Sequence, residues 1–133
     1  MASIRKSMSM GVDAARAWDA FRDVGSVHTR LARGFVTHTE LEGDTRSVTF
    51  ANGLVVREKI VTIDDGARRL VYSASGGRTT HHNASFEILD DGPGRARVVW
   101  TTDLLPNEAA PAVAGMMEQG FAAIQATLGH GGD

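Results

Sequence analysis

The chain has 133 residues, 42% of them hydrophobic and 23% charged, with no cysteine and a formal net charge of -2 at neutral pH. That length and balance suit a single soluble domain with a real core. They argue against a polybasic nucleic-acid binder, a disulfide framework, a thiolate zinc site and a cysteine nucleophile.

In chain order, "SIRKSMSM" alternates, with Ile4, Met8 and Met10 on one side and Ser3, Arg5, Ser7 and Ser9 on the other. This pattern predicts a half-buried strand. Asp13 is placed to cap a helix running from Ala14 to about Val24, with Ala14, Ala17, Trp18 and Phe21 at helical spacing and Gly25 as its stop. Residues 26–31 read as a second short helical turn. From Phe35 to Leu105, strands are separated by Gly43-Asp44, Asn52-Gly53, Asp64-Asp65-Gly66, Gly76-Gly77 and Gly92-Pro93-Gly94. Glycine turns at about ten-residue intervals predict an antiparallel meander of six strands. Pro106 ends the last of them, and Asn107 is placed to cap a long helix with Val113, Met117, Phe121, Ile124 and Leu128 on one face. No stretch approaches the ~20 apolar residues of a membrane span, and Met1 to Met10 lacks a signal-peptide apolar run. Together with the missing cysteines, this leads to an expectation of a cytoplasmic protein. The expected organisation is one domain over 1–128 with a flexible glycine-rich tail at 129–133.

The order is strand, two short helices, six strands, long helix. This is an α+β arrangement in which a curved seven-stranded sheet needs an apolar cover, and the last helix is long enough to supply it. Its many alanines and glycines fit either close packing or a hollow between helix and sheet.

Period-two alternation assigns faces. Thr80, His82, Ala84, Phe86 and Ile88 form the apolar row of their strand, so His82 points in and His81 out. The two adjacent histidines therefore cannot readily share a metal. Leu70, Tyr72 and Ala74 face in, and Glu58 shares an inward row with Leu54, Val56 and Ile60. Three-residue loops at 64–66 and 76–78 would set Glu58 opposite Tyr72 and Tyr72 opposite His82, one polar row across three strands. A two-residue Asn52-Gly53 turn would put Ser47 and Thr49 on the inner face and turn Val48, Phe50 and Val55 outward. That apolar trio fits a partner surface, such as that of a homodimer, or a turn that is not two-residue. Val98, Trp100, Thr102 and Leu104 face in unless a bulge swaps them.

"AWDAFRDVGSV" (17–27), "FANG" (50–53), "VVREKIVTIDDGARRLVYSASGG" (55–77), "HHNASFEI" (81–88) and "VVWTTDLLP" (98–106) resemble the START-like, helix-grip proteins of the SRPBCC group. Within that group they resemble the bacterial polyketide cyclase/dehydratase family. The resemblance spans nearly the whole chain and carries no catalytic fingerprint. It implies a helix-grip fold and a hydrophobic cavity between sheet and last helix. Some such proteins cyclise or dehydrate polyketides, and others only bind or carry a lipid-like ligand. The block from Glu58 to Asn83 also resembles, distantly, plant abscisic-acid receptors, in which positions matching Glu58 and Tyr72 line the cavity. The receptors' gate sequence is missing and Thr79 stands where they have a latch histidine, so hormone sensing is not implied.

Glu58, His82 and Tyr72 are thus the candidate catalytic residues. Glu58 is a general acid/base if desolvated and unpaired, and a structural salt-bridge partner if an arginine of a neighbouring strand reaches it. His82 is a base near neutral pH or a satisfied pocket histidine. Tyr72 is a carbonyl-orienting hydroxyl or plain packing. Val56, Thr49, Ala84, Phe86, Trp100, Met117 and Phe121 are the expected ligand-binding residues. The five histidines lack metal-ligand spacing, and no phosphate loop or nucleophile elbow is visible. The expected partner is a hydrophobic small molecule, with no cofactor, metal, nucleic acid or membrane span.

Overall fold

The computed structural model describes residues 2–129. The fraying expected of 129–133 concerns, from residue 130 onward, positions outside the described residues. Strand β1 (Ala2–Met10) leads through Gly11 into helix α1 (Ala14–Arg22) and a π-helical turn at Val27–Leu31. Six strands follow: β2 (Val36–Glu42), β3 (Thr45–Phe50), β4 (Val55–Asp64), β5 (Arg69–Ser75), β6 (His81–Asp90) and β7 (Ala96–Leu105). A short 3-10 turn at Asn107–Ala109 precedes helix α2 (Ala110–Leu128). All seven strands form one sheet in the order β1-β7-β6-β5-β4-β3-β2, each pair antiparallel.

Neither predicted side-chain cap forms. Asp13 accepts the Ala17 amide through its backbone carbonyl, not its carboxylate, and Asn107 lies in the 3-10 turn, three residues before α2 begins. The element boundaries otherwise follow the apolar periodicity.

Three turns depart from the expected lengths, and each moves a register. At Asn52-Gly53 the loop holds three residues: Phe50 donates to the Leu54 carbonyl, and Gly53 sits at φ 89°. A left-handed residue closing a three-residue loop is the glycine's role there. Arg46 therefore pairs with Glu58 and Val48 with Val56. Val48 is buried in the core, and Thr49 pairs with the exposed Val55 on the outer face, which corrects the expectation that Thr49 faces the ligand. Between β4 and β5, pairing resumes at Asp64 with Arg69, and a bulge between Ile60 and Thr62 shifts the register again. Glu58 stands opposite Ala74, not Tyr72. Between β5 and β6 the last pair is Ser73 with Asn83, so Tyr72 stands opposite Ala84, not His82. β7 carries no bulge along β1 or β6.

The core divides. One cluster joins α1, the π-turn and the lower half of α2 through Phe21, Phe86, Phe121 and Ile124. A smaller one joins Leu104, Ala109, Val113 and Met117 at the start of α2. Trp100 packs against both. Its ring edge crosses beneath Gly120, where an added Cβ would lie 2.9 Å from Cζ3. The helix thus lies directly against the Trp100 ring at Gly120, and the cavity opens on the Ala112 side.

Candidate functional site

A cavity of about 610 Å³ opens where the clusters part. Its sheet wall consists of Val56, Glu58, Tyr72, Ala74, His82, Trp100 and Thr102. Its helix wall consists of Ala109, Ala112, Val113, Met116 and Met117. Phe35 and Phe50, in edge-to-face contact at 5.1 Å, close one side. Asn52 and Leu54 of the β3–β4 turn and Gly76 to Thr79 of the β5–β6 turn form the mouth. The volume is in the range of small-molecule sites.

The residues explain why the space is there. Inward positions alternate along each strand, and even numbering is preserved from β4 to β7 up to the bulge, so Glu58, Tyr72, Ala74, His82 and Trp100 share a face despite the altered turns. Continuing the β5–β6 register sets Ala74 level with His82. The small Ala74 methyl, not the Tyr72 phenol, then lies between Glu58 and His82, and Tyr72 stands one inward step deeper, level with Ala84 and Thr102. On the helix, Ala109 and Ala112 leave the opposite wall equally shallow.

Glu58 is paired. Arg46 Nε donates to Glu58 Oε1 at 2.7 Å, and Arg46 Nη1 donates to the Val24 carbonyl at 3.2 Å. The two side chains are 4% and 11% exposed. The guanidinium also lies 5.2 Å from the centre of the Tyr72 ring. Arg46 is the site residue that sequence reasoning missed, and it turns Glu58 into the salt-bridge partner that the sequence left as an alternative.

Tyr72 accepts a hydrogen bond from Trp100 Nε1 at 3.2 Å. An indole nitrogen only donates, so the phenol keeps its own proton for another acceptor, and no such acceptor is found among the described side chains. Burial, reinforced by the Glu58 charge, pushes the Tyr72 hydroxyl well above its usual range. It is a neutral donor. Burial pushes His82 below its ordinary 6.5, with the Glu58 charge opposing and His81 adding to the shift. At neutral pH His82 is an uncharged imidazole, able to accept at one nitrogen.

Not every expected ligand contact reaches the hollow. Ala84 and Phe86 are core residues: Phe86 stacks on Trp100 at 4.5 Å and packs on Phe21 at 4.8 Å. Phe121 packs edge-on against Trp100 at 5.5 Å, behind the cavity wall. Alternation put these side chains on the right face but could not say where along the strand the helix lifts away. Val56, Trp100 and Met117 do line the cavity. Among the described residues, no group of three or more histidine and carboxylate side chains converges on a metal position, and no helix is long and apolar enough to cross a membrane.

The family model described as "Polyketide cyclase / dehydrase and lipid transport" matches residues 1–129. No curated protein matches the sequence. Among solved structures, the protein XoxI from Bacillus cereus superposes with a TM-score of 0.84 at 20% identity, over 96% of this chain and 96% of that one. A START superfamily protein from Mycobacterium smegmatis superposes with a TM-score of 0.73 at 11% identity, over 90% and 91%. Norcoclaurine synthase from Thalictrum flavum, in complex with dopamine and hydroxybenzaldehyde, superposes with a TM-score of 0.70 at 18% identity, over 93% and 84%. At these identities the structural likenesses establish the shared fold alone.

Proposed function

This chain belongs to the polyketide cyclase/dehydrase and lipid transport family, and from that premise we propose that its cavity binds an apolar small molecule bearing a carbonyl group. The observation that carries this reading is the deep end of the hollow. A phenol held by Trp100 offers its remaining proton there, among apolar walls sized for a ligand of two or three fused rings or a medium-length chain. Another protein of this fold, norcoclaurine synthase, forms a complex with dopamine and hydroxybenzaldehyde, which supports a small-molecule reading.

Acetylnaphthalene and ethylnaphthalene test it, since they differ in one carbonyl on the same skeleton. Calorimetry is expected to find the ketone bound more tightly, with Tyr72→Phe weakening the ketone about 3- to 10-fold, the worth of one neutral hydrogen bond, and sparing the hydrocarbon. Binding of neither compound by the wild type would overturn the proposal.

Catalysis of the cyclase or dehydratase type is the second reading, favoured by the neutral His82 on the same cavity wall as that donor. His82 would take a proton from the carbon next to the carbonyl. The C–H bond breaks, its electrons form the enolate, and Tyr72 hydrogen-bonds the enolate oxygen. Attack on a second carbonyl closes a ring, and the imidazolium returns the proton to the new alkoxide. The Arg46–Glu58 pairing leaves His82, not Glu58, as the base. Incubation with a linear poly-β-ketone separates the two. Catalysis gives a cyclised isomer of the same mass, seen as a new chromatographic peak with changed ultraviolet absorbance. Where a second alpha proton and the new hydroxyl are then eliminated, the product is lighter by one water. Either outcome is abolished in His82→Ala, whereas carriage leaves the starting ketone unaltered.

A further inference from the structure

The charges around the cavity are unevenly placed. The wall contains one carboxylate, Glu58, and that is neutralised from behind by Arg46. It contains one arginine, Arg78, which lies on the β5–β6 turn and makes no hydrogen bond or ion pair with the described side chains. The facing turn adds a donor. Asn52 Oδ1 accepts the Leu54 amide at 3.0 Å, so the group that Asn52 has left is its amide NH₂. The Thr79 hydroxyl completes the rim on Arg78's side. Both turns at the mouth therefore present donors, one of them cationic, and no free carboxylate lines the hollow between them.

The deep end is a separate polar zone. Gly76 packs against Val55 and Val56, with an added Cβ 3.4 Å from the Val55 carbonyl, which fixes the turn at that level of the sheet. Tyr72 lies four residues down the same strand, or about 13 Å at the usual rise per residue. Between the two levels the walls are aliphatic, aromatic or alanine, apart from Glu58 and His82, and the buried Thr102 hydroxyl joins Tyr72 at the deep level.

We propose that the ligand is an elongated amphipathic anion, with an apolar body in the hollow and a carboxylate or similar monoanionic group at the Arg78–Asn52 rim. This rests on the cavity reading above and adds the sign of the ligand's charge and where that charge sits. A cation at the rim would face the guanidinium, and an anion at the deep end would lose its hydration among apolar walls where Arg46 is already paired with Glu58.

Decanoate, decanamide and decylammonium share one chain and differ in the charge of the head. Calorimetry on the full chain is expected to find decanoate bound most tightly. Arg78→Gln should weaken decanoate about 3- to 10-fold while leaving decanamide within twofold. The advantage of decanoate over decanamide should shrink from low to high salt, as an exposed charge pair is screened. Equal changes for decanoate and decanamide in Arg78→Gln, or a wild-type preference for decylammonium, would overturn the rim assignment while the cavity reading stands. Binding of none of the three, with acetylnaphthalene also unbound, would remove the cavity reading itself. Arg78 is exposed on a turn, so the variant is expected to keep the wild-type unfolding midpoint.

Discussion

At the scale of single residues, the buried Arg46–Glu58 pair is the most consequential contact in the site. Removing one partner leaves a charge without compensation among apolar groups. Arg46→Leu is expected to lower stability by about 3–5 kcal/mol, read from urea unfolding, whereas the double variant Arg46→Leu/Glu58→Leu should recover most of that loss. A double variant as unstable as the single one would mean that the guanidinium acts through Val24 and Tyr72, not through the carboxylate. His82 makes a second prediction. Its folded-state pKa is depressed, so as pH falls through 6.5 the unfolded chain takes up a proton that the folded chain refuses. Stability is therefore fully present above the unfolded pKa and declines as pH drops toward the folded one. His82→Gln should flatten this decline between pH 7.5 and pH 5, and thermal melts at those two values check it. The contributions of His28 and His38, which do not act on His82, cancel in the comparison of variant with wild type.

At the scale of elements, the crossing of α2 over β7 sets the shape of the site. Alanine suits a helix interior better than glycine by about 1 kcal/mol, which would stabilise Gly120→Ala in isolation. Here the new methyl would meet the Trp100 ring at 2.9 and 3.1 Å. Trp100 is held by Phe86, by Phe121 and by its bond to Tyr72, so it has little room to move. The clash is expected to outweigh the propensity gain, with a net loss of about 1–2 kcal/mol in urea unfolding and a changed tryptophan fluorescence. A neutral or stabilised variant would show that α2 can lift without cost. The same elements show what the sequence reveals and what it conceals. The inward faces of Glu58, Tyr72, His82 and Trp100 were legible because side-chain alternation depends only on local backbone geometry. The registers were not, because they depend on loop lengths, and a bulge at Val61 and a widened β5–β6 turn each add residues without a composition signal. Asn52-Gly53 matches a two-residue turn as well as the three-residue loop it forms. The signal that decides between them lay in the strand before it. Arg46, Val48 and Phe50 alternate on one row, and a register that turned Val48 and Phe50 outward needed a partner surface to cover them, whereas a three-residue loop packs them into the chain's own core. Placing that row inward brings Arg46 to Glu58.

At the scale of the whole molecule, the hollow is a cost that the fold carries. A core of this size packed to normal density would join its two clusters, and the gap forfeits the contacts that close packing supplies. The positions that keep it open are small: Ala74 on the sheet between Glu58 and His82, and Ala112 on the facing helix. Neither residue is needed for the fold's own packing, so filling the space should favour the folded state. Ala74→Leu is expected to raise stability by about 0.5–2 kcal/mol, the usual gain from occupying an apolar void. It should also reduce the effect of ligand. Wild-type protein with decanoate at a hundred times its Kd should gain about 2.7 kcal/mol in the same urea titration, because ligand binds the folded state alone. The variant should gain less. The leucine side chain and the ligand compete for part of one volume, so the two gains should fall short of additive. If they add in full, decanoate binds somewhere other than the space between Glu58 and His82. If Ala74→Leu destabilises the chain, that space is already filled by its neighbours in solution.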